Sequence, residues 1–353
     1  MSDLLALDLA GSAFERGRGQ GVARDRAEQV RAATVGRVAT ARAEGLIDAD
    51  ARDYLAAQYA FHEAVDPDGL AEMVGIAAGF ELDPQEMFAH LHLGTLRDLK
   101  GGGRLEDGCS SWAVGQGPDG PLVVKNRDFF GTHLGIQTVA RHEGPDVATG
   151  AMLCLGSLGS PGAYSSGINA RGFALADTQV AVRTHRVGWL RYFLMGRLLA
   201  RCATVAQALD LIRAHPHAGG GTLVMADASG ATAAVELGAA GPQVTQGPVV
   251  WRTNHYVSPA LGADTLLPQG DVIAGNSGRR FAHLAATLPG QDWDGAAAQR
   301  LMATHDPAPI CQHGADDGTM TIASAVYSCA APGLLVCPQN PCSGDWRHHP
   351  LTG

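Results

Sequence analysis

The pattern of apolar and polar positions changes character near residue 100. From Phe14 to about Lys100 the chain reads as helices with short breaks. FERGRGQGVARDRAEQVRAATVGRVATARAEG is a long run dominated by Ala and Arg with few β-branched residues, followed by DADARDYLAAQYAFHEAV and DGLAEMVGIAAGF. In DPQEMFAHLHLGTLRDLK, Asp83 is placed to cap a helix with Pro84 at its first position. GGGRLEDG (101–108) then reads as a flexible, exposed linker. Beyond it, SSWAVGQ, PLVVKNRDFF, GAMLCLG, GFALADTQV, GTLVMADAS, ATAAVELG and GPVVWRTNHY are short apolar or alternating runs bounded by Gly, Pro, Asn and Asp, the pattern of strands and turns. GQGPDGPLVV and MADASGATAAVEL predict hairpins, and TIASAVYSCA with GLLVCPQ a last strand pair. Helices are expected at about 188–200, 204–214, 276–288 and 294–304.

Helices first and hairpin-rich strands afterwards make this an α+β chain, a layered sandwich of sheets with helices outside, and not a βαβ repeat. At 353 residues it is long enough for one large core or two smaller ones. The net charge of -9, without a Lys/Arg-rich block, argues against nucleic acid or an anionic membrane as partner. The N-terminal apolar stretch is broken by Asp8, has no basic leader, and no later run approaches a membrane span; a cytoplasmic location is expected. Seven scattered cysteines, an odd number, predict no disulfide framework and at least one free thiol.

Cys109 stands out. It joins the linker to the first strand in Asp107-Gly108-Cys109-Ser110-Ser111-Trp112, whereas a core cysteine sits inside an apolar run, as Cys154 does. The segment DGCSSWAVGQGPDGPLVVKNRDFF resembles the start of the catalytic chain in N-terminal-nucleophile (Ntn) hydrolases, and more narrowly the isopenicillin N acyltransferase-like branch. There a Cys opens the first strand and a basic-or-Gln, Asn, x, Asp, aromatic motif closes the second, here Lys125-Asn126-Arg127-Asp128-Phe129. GSAFERGRGQGVA, MVGIAAGFELDPQEMFAHL, GINARGFALADT, TNHY, NSGRRFAHL and HDPAPICQHG with TIASAVYS are similar to further family segments, in family order.

The resemblance implies a four-layer αββα sandwich of two antiparallel sheets, in which residues 1–108 are released by self-cleavage after Gly108 yet stay packed on residues 109–353 as a heterodimer. It implies a cysteine amidohydrolase acting on a small N-acyl compound, or else an acyl-CoA-dependent N-acyltransferase on the same fold; an unprocessed, non-catalytic binding protein is a third reading. Cys109 would attack the Gly108 carbonyl and then serve as nucleophile, its new α-amine acting as base. Asp128 would orient the thiol or α-amine, and Asn254 would donate to the oxyanion. Arg280, or less favourably Arg279, would set the site's electrostatics or hold a substrate carboxylate, with Ser277 in support. Lys125 stands where the wider group often has Arg.

Period-2 alternation puts Lys125 and Arg127 on one face and Asn126 and Asp128 on the other, so that if Asp128 faces the site Arg127 does not. No cofactor or metal is expected. His90 and His92 point to different sides of a helix, and Cys311-Gln312-His313 lacks a second Cys/His pair at zinc-site spacing, as does Cys337 with Cys342. RGRGQG and GSLGSPG match no phosphate loop, and GNSGR departs from the G-x-S-x-G elbow of serine hydrolases. The sequence is compatible with a homo-oligomer.

Overall fold

The computed structural model describes residues 4–102, 108–266, 272–314 and 318–351. Strand β1 (Leu5–Ala10) precedes helices α1 (Ala13–Gly19), α2 (Ala27–Arg31), α3 (Arg37–Ala43), α4 (Ala49–Val65), α5 (Pro67–Gly79), α6 (Pro84–Leu91) and α7 (Leu93–Leu99). Next come β2 (Ser110–Val114), β3 (Leu122–Phe130), β4 (Gln137–Glu143), β5 (Met152–Ser157), β6 (Ser166–Asn169) and β7 (Ala174–Thr178). Helices α8 (Arg191–Arg201) and α9 (Val205–Arg213) lead to β8 (Thr222–Ala226), β9 (Thr232–Gly238), β10 (Gly241–Gln246) and β11 (Val249–Arg252). The chain ends with α10 (Val272–Thr287), α11 (Gly295–Met302), β12 (Thr319–Ser328), β13 (Gly333–Cys337) and β14 (Arg347–Pro350).

Two sheets stack face to face, one of eight strands in the order β1-β4-β5-β6-β7-β8-β9-β10 and one of six in the order β11-β2-β3-β12-β13-β14. Small side chains fill the gap between them, among them Ala113, Ala174, Ala176, Ala226, Ala323 and Ala325. The outer face of the larger sheet carries α1, α5, α6, α8 and α9 over a core that includes Met73, Ile76, Phe88, Phe193 and Leu198. The outer face of the smaller sheet buries Trp112, Val124 and Val326 against Leu284, Leu301 and Met302 of α10 and α11. The result is the expected four-layer αββα sandwich. One edge departs from the antiparallel expectation: β1 runs parallel to β4, Leu5 opposite Thr138 through Ala10 opposite Glu143. Its LALDLA alternation is strand-like, and it ties the N-terminal piece into the larger sheet.

Local chemistry accounts for the helical boundaries. Asp83 accepts from the backbone N–H of Gln85 and Glu86, with Pro84 first in α6, as its sequence predicts. Ser12 and Glu15 form a capping box that starts α1. The long helical run expected from Phe14 is instead broken into short pieces. The glycines of RGRGQG are a packing surface: a Cβ on Gly17 would lie 2.0 Å from the Glu72 carbonyl oxygen, and one on Gly75 2.1 Å from that of Phe14. Glycine lets α1 and α5 touch backbone to backbone.

Residues 103–107 of the expected linker lie outside the described residues, whereas its last residue, Gly108, is buried rather than exposed. Among the described residues no helix is long and apolar enough to cross a membrane, and no disulfide is present.

Candidate active site

Strand pleating sorts the residues around Cys109. On β2 and β3, Trp112, Val114, Leu122 and Val124 pack toward α10 and α11, while Ala113 and Val123 face the other sheet. Lys125 and Arg127 continue the inter-sheet face: Lys125 Nζ reaches Asp177 Oδ1 at 2.6 Å, and Arg127 donates to Gly156 O and Ser157 Oγ, both at 2.8 Å. Asn126 continues the helix face, donating to the carbonyls of Met302 and Ile310 at 2.9 and 2.8 Å. The expected alternation therefore holds, but its consequence for Arg127 is reversed. Arg127 lines the same cleft as Cys109, together with Lys125, Asp177, Gln179 and Arg191. The reactive face is the inter-sheet one, because Cys109 precedes β2 in the phase of Ser111 and Ala113.

Cys109 is 6% exposed and meets Asp128 through the backbone. The Asp128 N–H donates to Sγ at 3.4 Å, and the thiol donates to the Asp128 carbonyl at 3.7 Å. The Asp128 carboxylate turns the other way and accepts from Gln312 Nε2, while its second oxygen, Oδ1, is buried with no hydrogen-bond partner among the described residues. Burial raises the Asp128 pKa to about 6, against the opposing influence of Arg280, Thr321 and Gln312.

Arg280 is fully buried and organises the neighbourhood. Its guanidinium donates to the Cys109 carbonyl at 2.5 Å, Ser110 Oγ at 3.0 Å, Asn254 Oδ1 at 2.9 Å and Asn276 Oδ1 at 2.6 Å. Burial lowers its pKa, and the neighbouring Asp128 and Cys109 work in the opposite direction. Arg279, the alternative, is exposed and bonded to the Pro307 carbonyl. Asn254 uses one amide hydrogen on the Gln179 carbonyl at 2.9 Å. Ser277 does not bond Arg280, the partner expected for it. Its hydroxyl instead accepts from the Asn254 N–H at 2.8 Å and contacts Thr253 and His255, so it anchors the turn that presents Asn254. Asn276 is the residue of α10 that bonds Arg280.

Two further groups complete the site. Gln312 Nε2 donates to the Gly108 carbonyl at 2.9 Å, and its side-chain Oε1 accepts from Asn276 at 3.0 Å. Gly108 fits there because it lacks a side chain: a Cβ would lie 2.2 Å from Gln312 Nε2 and 3.3 Å from Asp128 Oδ2. On the other side, Asp177 binds both Lys125 and Arg191, the latter at 2.8 Å. Burial alone would raise the Asp177 carboxyl, but these two cations hold it below its usual range. The cleft continues past Tyr164 and Tyr192, stacked at 4.3 Å, toward Arg37, Arg97 and His185.

The structure thus brings Gly108, Cys109, Asp128, Asn254 and Arg280 into one network, with Ser277 behind Asn254 and Lys125 across the cleft. Sequence reasoning missed Gln312, Asn276, Asp177, Gln179 and Arg191. For Gln312 the signal was present in CQHG, read for its flanking Cys and His rather than its centre. Asp177, Gln179 and Arg191 carried no motif.

A family model described as acyl-coenzyme A:6-aminopenicillanic acid acyl-transferase matches residues 115–342, well over half the chain; Cys109 lies just before the matched region, and Asp128, Asn254, Arg280 and Gln312 within it. No curated protein sequence matches. Among solved structures, a mutant of the conjugated bile acid hydrolase of Clostridium perfringens is similar at 12% identity and a TM-score of 0.44, over 65% of this chain and 89% of that one. A variant of the same hydrolase gives 10% and 0.41 over the same shares. Penicillin V acylase from Agrobacterium tumefaciens gives 12% and 0.35, over 65% and 82%. Similarities of that size bear on neither substrate nor mechanism.

Proposed function

The chain belongs to the acyl-coenzyme A:6-aminopenicillanic acid acyl-transferase family, and on that premise we propose that it is a self-processing cysteine Ntn amidohydrolase that cleaves the amide of a small N-acyl compound through a thioester. One observation carries the reading. Cys109 is a buried residue at the start of a strand, and the carbonyls on both sides of it are held by donors, Gly108 by Gln312 and Cys109 itself by Arg280.

In processing, Cys109 Sγ attacks the Gly108 carbonyl carbon. Gln312 stabilises the developing oxyanion, the Gly108–Cys109 C–N bond breaks, and the nitrogen takes the proton given up by the thiol to become the α-amine of Cys109. Water then hydrolyses the thioester, freeing the thiol and leaving a carboxylate on Gly108. The Asp128 carboxylate, whose Oδ2 lies 3.3 Å from where a Gly108 Cβ would sit and whose Oδ1 keeps a free acceptor among the described residues, would receive the new ammonium. Residues 1–108 stay bound after the cut because β1 pairs with β4 and α1 and α5 share the large core with α8 and α9.

In turnover the α-amine, of pKa about 7.7–8.0 when unperturbed, takes the thiol proton. The thiolate attacks the substrate carbonyl, and the second hydrogen of the Asn254 amide supports the oxyanion. The α-ammonium protonates the leaving amine, and water resolves the thioester. Arg280 holds Asn254 and the Cys109 backbone in register. The Lys125–Asp177–Arg191 cluster shapes the cleft wall and, with Arg127, gives it an excess of positive charge among the described residues, which favours a substrate bearing a carboxylate.

The family description favours a second reading, in which an acyl-CoA thioester is the donor and an amine the acceptor. The same nucleophile and oxyanion support would serve it. Purified protein assayed with amide, ester and thioester donors, with and without an added amine, separates the two. Amide cleavage independent of added amine is expected; turnover only with thioester plus amine would favour transfer. Equal turnover by Cys109→Ala would overturn both.

A further inference from the structure

A second cluster of reactive side chains lies behind the site. His305, Cys311, His313 and Cys342 come from three separate stretches of chain, and their ligand atoms all fall within 4.8 Å of one another. The two Sγ atoms are 3.8 Å apart, and the two Nε2 atoms 3.1 Å. His313 Nε2 is 3.3 Å from Cys342 Sγ and 3.8 Å from Cys311 Sγ.

Four ligands around a tetrahedral zinc ion, with bonds of about 2.3 Å to sulfur and 2.0–2.1 Å to nitrogen, are separated along the tetrahedron's edges by about 3.3–3.8 Å. Four of the six spacings, at 3.1, 3.3, 3.8 and 3.8 Å, lie within a few tenths of an ångström of that range, and the two from His305 to the sulfurs fall within 4.8 Å. Without a cation His305 and His313 share one Nε2–H···Nε2 hydrogen bond, so it is the convergence of all four ligand atoms, and not the imidazole pair, that fits a cation. Linear spacing hid it: the ligands at 305 and 342 are single residues, so no paired motif accompanies Cys311 and His313.

We propose that His305, Cys311, His313 and Cys342 form a Cys2His2 site for a zinc-like divalent cation. All four positions are filled by protein, as in structural rather than catalytic sites. Cys311 is buried, whereas His305, His313 and Cys342 are exposed, giving a cation a path in from solvent. Asn340 backs the cluster, donating to Cys311 Sγ at 3.7 Å and to the Gln312 carbonyl at 2.7 Å, the outer-shell support that metal thiolates use. Gln312 lies between two of the ligands. Closing the site around a cation fixes the backbone on both sides of the residue that reaches Gly108 and Asp128. That positioning role rests on the processing reading above, whereas cation binding does not.

The test is metal content of the full chain purified without chelator under reducing conditions, in a Cys109→Ala background so that the readout is independent of self-cleavage. One zinc per chain is expected, with loss in Cys342→Ser and in His313→Ala, both changes at exposed side chains that leave the core intact. Cobalt(II) added to the zinc-free protein should give the intense visible absorption of a tetrahedral thiolate complex. Absence of stoichiometric metal in zinc-supplemented protein, retention of the metal in both variants, or a Cys311–Cys342 disulfide under these conditions would each overturn the proposal.

Discussion

Gln312 Nε2 donates to the carbonyl oxygen of Gly108 at 2.9 Å, across a sequence separation of 204 residues. The same amide reaches the Asp128 carboxylate, so a single side chain from the C-terminal region holds the carbonyl that Cys109 would attack and the acid beside it. Removing one oxyanion donor typically slows acyl chemistry by about 10²–10³-fold. Gln312→Ala should therefore slow Gly108–Cys109 cleavage by that order, seen as accumulation of uncut chain in a time course after synthesis. Cleavage at an unchanged rate would remove Gln312 from the mechanism.

Arg280→Lys keeps the charge but cannot satisfy Cys109 O, Ser110 Oγ, Asn254 and Asn276 together. Leaving a buried acceptor of this kind unsatisfied costs about 1–3 kcal/mol. The variant should show a lowered denaturant midpoint and a large loss of kcat/KM, while Arg279→Lys, at an exposed position, leaves both near the parent values.

In the proposed mechanism Asn254 differs from Arg280 in touching the reacting atoms through its amide. Asn254→Ala should lower kcat by about 10²–10³-fold with a much smaller change in KM. A loss confined to KM would place Asn254 in ground-state binding instead.

Asp128 titrates in a telling direction. Its folded pKa of about 6 exceeds the ordinary 3.8, so between those values the folded chain binds more protons than the unfolded one. Stability contributed through this group falls as pH rises from about 4 to about 6, and is level above that. Measured in uncut Cys109→Ala protein, the stability difference from a further Asp128→Asn change should move by an amount on the order of 2–3 kcal/mol across that window, in favour of Asn at the higher pH. A flat difference would mean that the carboxylate is compensated.

Much of this fold was legible because strands and helices here obey their own periods. The VVKNRDFF run shows both faces of β3 directly, and Asp83-Pro84 marks the start of α6 as read. What escaped depended on tertiary contact. The glycines of RGRGQG read as helix interior until α5 was placed against them, and LALDLA is too short to declare a strand without β4 beside it. Arg127 lines the cleft although it alternates with Asp128, because alternation says which residues share a face but not which face is the cleft. Gln312 and the His305–Cys342 cluster are assembled from distant segments, and no local pattern encodes that meeting.

The central claim is that Cys109 cuts its own chain. Intact mass of freshly purified protein under denaturing conditions, beside Cys109→Ala, tests it most directly. Two pieces are expected from the native sequence, one ending at Gly108 and one beginning at Cys109, with a single uncut chain from the variant. One full-length species in both samples would contradict the account.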